Sequence, residues 1–181
     1  MKMLVTIVAT LLAVVVAALG YVYSGAFDVA ADRPHGAIAG WLMQATRDRS
    51  IAARSKDVNV PNLDAPESIA EGADEYAEMC AGCHLGPGVA DNEFRKGLNP
   101  AAPELAKSEG GSPARQFWIV KHGIKMTAMP AWGLTHDDST IWSIVAFLQK
   151  LPTLTPEQYA QMTEESESAH EEHEHMHETH E

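Results

Sequence analysis

The only two cysteines of this 181-residue chain, Cys80 and Cys83, stand two residues apart with His84 directly behind them. A C-x-x-C pair serves three chemistries, and each demands something different from the rest of the sequence. A structural zinc needs two further ligands at matching spacing, and no second C-x-x-C or H-x(3–5)-H pair occurs in a stretch built to be ordered. A redox dithiol needs a βαβ setting, and no segment alternates with period two for long enough to make a strand. C-x-x-C-H is the attachment signature of c-type haem. Two thiols at this spacing reach the two vinyl groups on one porphyrin edge, and the following imidazole swings under the iron. On this reading Cys80 and Cys83 are thioether anchors and His84 is the proximal ligand. One covalent haem c also supplies much of the apolar interior that a domain of about a hundred residues otherwise finds hard to build.

The segment Met3 to Phe27 has no charged residue and ends in Tyr21, Tyr23 and Phe27. As a helix it is long enough to cross a hydrocarbon core of about 30 Å, with the aromatic residues at the level of the interface. The competing reading is a cleaved signal peptide with Val16 and Ala18 at the cleavage site. The apolar run continues past that site, which favours a retained anchor over residues 1–27. Both readings export the remainder of the chain, where C-x-x-C-H thiols are loaded with haem.

Beyond the anchor, residues 28–56 read as a juxtamembrane segment with an amphipathic helix from about 35 to 54. Ile38, Trp41, Leu42, Ala45 and Ala52 fall near one face, which either packs on the haem domain or lies on the membrane surface. Residues 57–67, with Pro61 and Pro66, form an extended linker. The domain from 68 to 155 is all-α. A helix from about 67 to 79 leads into the haem motif, and Gly72 and Tyr76 share one of its faces. Ser112 and Pro113 open a second helix that Gly123 stops. Thr135 and Asp138 resemble a capping box for a last helix, with a stripe of Ile141, Trp142, Val145 and Leu148, and Pro152 ends it.

The loop after the middle helix carries the candidates for the sixth iron position. Met129 precedes Pro130, so its backbone is biased to be extended and its thioether can project from the loop. Met126, His122 and an open position are the alternatives. A thioether gives a six-coordinate iron of raised potential, suited to electron transfer and closed to small substrates.

From EGADEYAEMCAGCH through GLNPAAPEL and KHGIKMTAMPAWG to IWSIVAFLQKLP, about residues 68 to 152, the chain resembles the class I cytochromes c. It is most similar to the bacterial monohaem type grouped with the haem subunits of cbb3-type oxidases. The resemblance implies the class I cytochrome c fold around one haem. It also implies a proline carbonyl that accepts a hydrogen bond from the proximal histidine, with Pro103 the match and Pro100 second. It further implies that the first and last helices cross near a glycine and aromatic residues, here Gly72, Tyr76, Trp142 and Phe147. Leu85 departs from the pattern, since many relatives have glycine there.

The implied role is a membrane-anchored, periplasmic one-electron carrier between respiratory donors and a terminal oxidase or reductase, with redox proteins as its partners. The alternatives are a fixed haem subunit of a larger complex, a haem enzyme or gas sensor, and a metal-handling protein. The last of these rests on residues 156–181, an acidic segment with no Lys or Arg that reads as disordered. Its His170, His173, His175, His177 and His180 either add little to a solvated tail or converge on a divalent metal such as copper or zinc. The net charge of −12 and the lack of a basic patch with interleaved aromatics exclude nucleic acid as a partner.

Overall fold

The computed structural model describes residues 1–108 and 111–163. They divide into two compact units, Met1–Pro34 and the part that begins at His35. The first unit is one apolar helix, α1 (Lys2–Tyr23), with no buried residue. Its length and composition fit a single membrane pass.

The second unit contains α2 (Ala37–Ser55), α3 (Pro66–Met79), α4 (Ala81–His84), α5 (Glu93–Lys96), α6 (Pro113–His122) and α7 (Asp138–Lys150), with short 3₁₀ turns between them. Residues 156–163 add a further helix, α8. No strand occurs among the described residues.

Pro66 occupies the first turn of α3, where its missing N–H leaves no bond unmade. Ser112 precedes Pro113 at the start of α6 as expected, although its side chain makes no capping bond. At α7 the expected capping pair is replaced. Asp137 is the N-cap and accepts from the Thr140 N–H at 2.9 Å, whereas Thr135 closes the preceding 3₁₀ turn Trp132–Leu134. Asp is a better N-cap than Thr, and the turn at 132–134 delays the helix by two residues.

The centre of the fold is the crossing of α3 over α7. A Cβ placed on Gly72 would lie 1.9 Å from the Ser143 carbonyl oxygen, so the two backbones meet where only glycine fits. Tyr76 and Phe147, both fully buried, pack beside that contact with ring centroids 5.3 Å apart. Burial of a side chain the size of Phe147 stabilises by about 2–3 kcal/mol. Trp142, expected at the same crossing, instead stacks on Phe117 of α6 at 4.1 Å. The last helix thus holds α3 with one face and α6 with another, and Ile141 and every residue from Ser143 to Leu148 are buried.

Of the two alternatives left open for the apolar stripe of α2, packing of Ile38, Trp41 and Leu42 on the domain does not occur. These three large apolar residues of α2 are 83%, 68% and 56% exposed, while Ile51 and Ser55 are buried. The carboxyl-terminal half of α2 packs on α6, and Asp48 pairs with Arg115 at 3.2 Å. The segment expected to be disordered from residue 156 is helical over 156–163. Tyr159 is buried there, and Met162 packs against the same core. One tyrosine that buries its ring beside Phe147, at 6.5 Å between centroids, supplies the apolar contact that a composition average hides. The rest of that segment, with its five histidines, lies outside the described residues.

Leu85 has φ +58° and ψ −178°, a region that residues other than glycine enter only at a cost of about 1–3 kcal/mol. This conformation gives the departure from the family pattern a physical meaning. The side chain is 5% exposed, and the Leu85 carbonyl accepts from the Tyr76 hydroxyl at 2.6 Å. Burial thus offsets backbone strain. Leu85→Gly should lose the burial but relieve the strain, whereas Leu85→Ala should lose most of the burial and keep the strain. The glycine variant is expected to be the more stable by about 1 kcal/mol in denaturant unfolding, and an alanine variant at least as stable as the glycine one would refute the strain.

Candidate functional site

The haem motif forms the short helix α4, which continues directly from α3. Cys80 is the joint between them, its N–H bonded to the Tyr76 carbonyl. Both cysteines are free thiols. Burial pushes the Cys80 thiol up to about 12, with the nearby Glu75 and Cys83 adding to the shift. A reactive dithiol or a zinc site depends on thiolate, so this environment favours neither.

His84 Nδ1 lies 2.9 Å from the Pro103 carbonyl oxygen. The carbonyl can only accept, so Nδ1 carries the proton and Nε2 keeps its lone pair. Burial pushes the imidazole below its ordinary value, against the bond to Pro103, which raises it. The ring is therefore neutral at pH 7, the form that binds metal. Pro100, the second candidate, lines the same cavity without receiving this bond.

The loop that carries Pro103 is fixed by a residue with no motif to announce it. Arg95 donates from Nε to the Cys83 carbonyl at 3.0 Å and from Nη2 to the Ala102 carbonyl at 2.9 Å. Its guanidinium also pairs with Asp91 at 3.2 Å and Glu104 at 3.7 Å. Asn92 caps α5 through the Arg95 N–H and donates to the Gly82 carbonyl at 2.8 Å. These bonds clip the haem motif to the segment that orients His84. Neither the short helix α5 nor the reach of Arg95 back over twelve residues has a signature in the sequence pattern.

On the other side, α6 ends at Gly123, whose φ of +63° lies in the left-handed half of the map. A Cβ there would stand 2.6 Å from the Pro130 carbonyl oxygen and 2.7 Å from that of Met129. The loop folds back so tightly that the Ile124 N–H bonds the Met129 carbonyl at 3.2 Å, and the Thr127 hydroxyl accepts from the Met129 N–H at 3.1 Å. Met129 packs against the core and lines the cavity that His84 also lines. Met126 is 82% exposed at a φ of +60°. His122 is exposed, sets its ring against Trp118 and does not line the cavity. Of the three side chains weighed for the sixth position, only Met129 faces the same space as His84.

Residues 67–148 match the family model described as cytochrome C oxidase, cbb3-type, subunit III. This stretch is a monohaem cytochrome c domain. No curated protein and no solved structure matches the chain. A cytochrome c domain carries covalently bound haem c and transfers electrons, and Cys80, Cys83 and His84 all lie within the matched residues.

The rest of the cytochrome domain fits such a group. The cavity between Met129 and His84 has a volume of about 440 Å³ and is walled chiefly by apolar side chains such as Met79, Leu98, Leu105, Ile119 and Leu148. That is within the range of small-molecule and cofactor sites. Its soft and nitrogen donors are the neutral imidazole of His84, the Cys83 sulfur and the thioethers of Met79 and Met129; an imidazole together with a thioether is the pair that suits a low-spin haem iron. Among the described residues no group of three or more His, Cys, Asp or Glu is placed to hold a metal ion. The tail histidines lie outside those residues.

Proposed function

We propose that the chain is a membrane-anchored c-type cytochrome whose haem domain faces the periplasm and carries single electrons from a respiratory dehydrogenase or quinol-oxidising donor to a terminal oxidase or reductase. The observation that carries this reading is the shared cavity, which His84 and Cys83 of α4 and Met129 of the loop after α6 all line. The apolar helix Lys2–Tyr23 supports the anchor.

Haem c, when bound, supplies a one-electron Fe(III)/Fe(II) couple. Cys80 and Cys83 hold its vinyl edge as thioethers. His84 offers Nε2 to the iron, and its bond to Pro103 fixes the ring and increases its basicity. Met129, which lines the same cavity, would hold the iron from its other side and so keep water and small ligands away. The clip made by Arg95 and the tight turn at Gly123 hold the two ligands where they are, which limits reorganisation when the charge on the iron changes.

A fixed subunit of a larger assembly is the second reading. It is favoured by the description of the matching family as an oxidase subunit and by the exposed Ile38, Trp41 and Leu42. Size analysis in mild detergent separates a lone carrier from a bound subunit.

Cells that make the full chain should keep its haem-stained band with the membranes after osmotic shock, and protease added from the periplasmic side should digest it. A soluble periplasmic chain beginning near Leu19 would remove the anchor and leave the carrier role. Digestion from the cytoplasmic side alone would overturn the proposed placement.

A further inference from the structure

Helix α2 lies N-terminal to the residues that match the cytochrome family, yet two of its side chains, Arg47 and Ile51, line the haem cavity. Arg115 of α6 lines it as well. With His84 neutral, these two arginines are the only charged side chains in the lining among the described residues: the segments 98–103 and 124–130 and helix α7 contribute none. Asp48 joins the pair. Its Oδ1 accepts from Arg47 Nε at 3.0 Å and lies 3.2 Å from Arg115 Nη2. The hydrogen bond from Arg47 and the charges of both guanidiniums hold its carboxyl below the usual range, so one anion faces two cations and a positive charge is left over.

A haem has carboxylates on the edge away from its vinyl groups. The vinyl edge belongs at Cys80 and Cys83, and the carboxylates enter a mostly apolar cavity in which they need cationic partners. Guanidinium forks match carboxylates in shape as well as charge.

We infer that α2 completes the haem pocket, with Arg47 acting together with Arg115 as the receptor for the haem carboxylates. This rests on the reading that the cavity holds haem c. Both arginines are positioning residues: they orient the cofactor and set the field at the iron without touching it. Asp48 tethers them in the absence of the haem and moderates their charge in its presence. It also follows that α2 is part of the electron-transfer unit and not merely a spacer between membrane and domain.

The test is a spectroelectrochemical titration of the covalently loaded full-length protein over a series of pH values. Arg47→Gln and Arg115→Gln should each favour the ferric state by about threefold, and the double variant by about tenfold, which is a fall of about 59 mV for a one-electron couple. The double variant should also acquire a potential that varies with pH in the mildly acid to neutral range, because carboxylates stripped of their cations bind protons more readily. Arg47→Lys should retain most of the potential, and Asp48→Asn should shift it the opposite way. Arg54→Gln, on the same helix but bonded to Ser50 and absent from the cavity lining, should change nothing. A loaded double variant with the potential and pH profile of the unaltered protein overturns the inference. If the double variant does not take up haem, an unchanged potential in both Arg47→Gln and Asp48→Asn overturns it equally. Absence of haem from the unaltered protein would overturn the cofactor reading instead, so the two failures are distinct.

Discussion

Valine at Gly72 should destabilise the cytochrome domain by at least about 3 kcal/mol, the largest loss expected from any single substitution away from the iron. Glycine in a helix interior normally costs about 1 kcal/mol relative to alanine, so on propensity alone a side chain here would help. Space decides otherwise. The added Cβ would sit 1.9 Å from the Ser143 carbonyl oxygen and 2.4 Å from its carbon, and both atoms belong to a helix backbone that no rotamer change can move. Relief requires α3 and α7 to separate, which uncovers Tyr76 and Phe147. Denaturant unfolding of the haem-loaded protein measures the loss. Even alanine should be net destabilising, and a Gly72→Ala protein as stable as the original would mean that the helices do not cross in this contact.

Met129→Ala should abolish the weak sulfur-to-iron absorption at the red end of the oxidised spectrum. It should also lower the reduction potential by on the order of 0.1–0.2 V, a fraction of the roughly 0.8 V over which axial ligands tune haem. The sign follows from the softness of a thioether, which stabilises ferrous iron more than ferric. Met126→Ala should do neither, because that side chain points to solvent at 82% exposure. Loss of the band in Met126→Ala with its retention in Met129→Ala would reverse the assignment.

How much of this was legible beforehand depends on whether the information is local. The haem motif, the Pro-led start of α6 and the stop at Gly123 are each written in a few adjacent residues, and the structure has them where the sequence puts them, whereas Pro66, read as the end of the linker, already lies in the first turn of α3. The relation of His84 to Pro103 spans nineteen positions; it came from the family resemblance, because no spacing rule chooses between Pro100 and Pro103.

Helix α2 shows the limit of periodicity. Its apolar stripe points to Ile38, Trp41 and Leu42, all of which are exposed, while the residues that meet the domain are Asp48, Ile51 and Ser55. Which face is buried depends on where α6 lies, and a helical wheel contains nothing about that. The boundary at 156 fails for a related reason. Acidic composition dominates the average from there onward, but a single Tyr159 with a place beside Phe147 is enough to extend the fold to residue 163. The role of Arg95 was invisible because its acceptors are backbone carbonyls, which have no signature in a sequence.

The proposed carrier role requires a haem whose sixth position is held by the protein, because an open position would suit a gas-binding enzyme or sensor instead. The most direct measurement is the absorption spectrum of the reduced, haem-loaded full-length protein before and after addition of carbon monoxide at neutral pH. With Met129 on the iron the spectrum should remain unchanged, and Met129→Ala should bind the gas readily. Prompt carbon monoxide binding by the unaltered protein would contradict the claim.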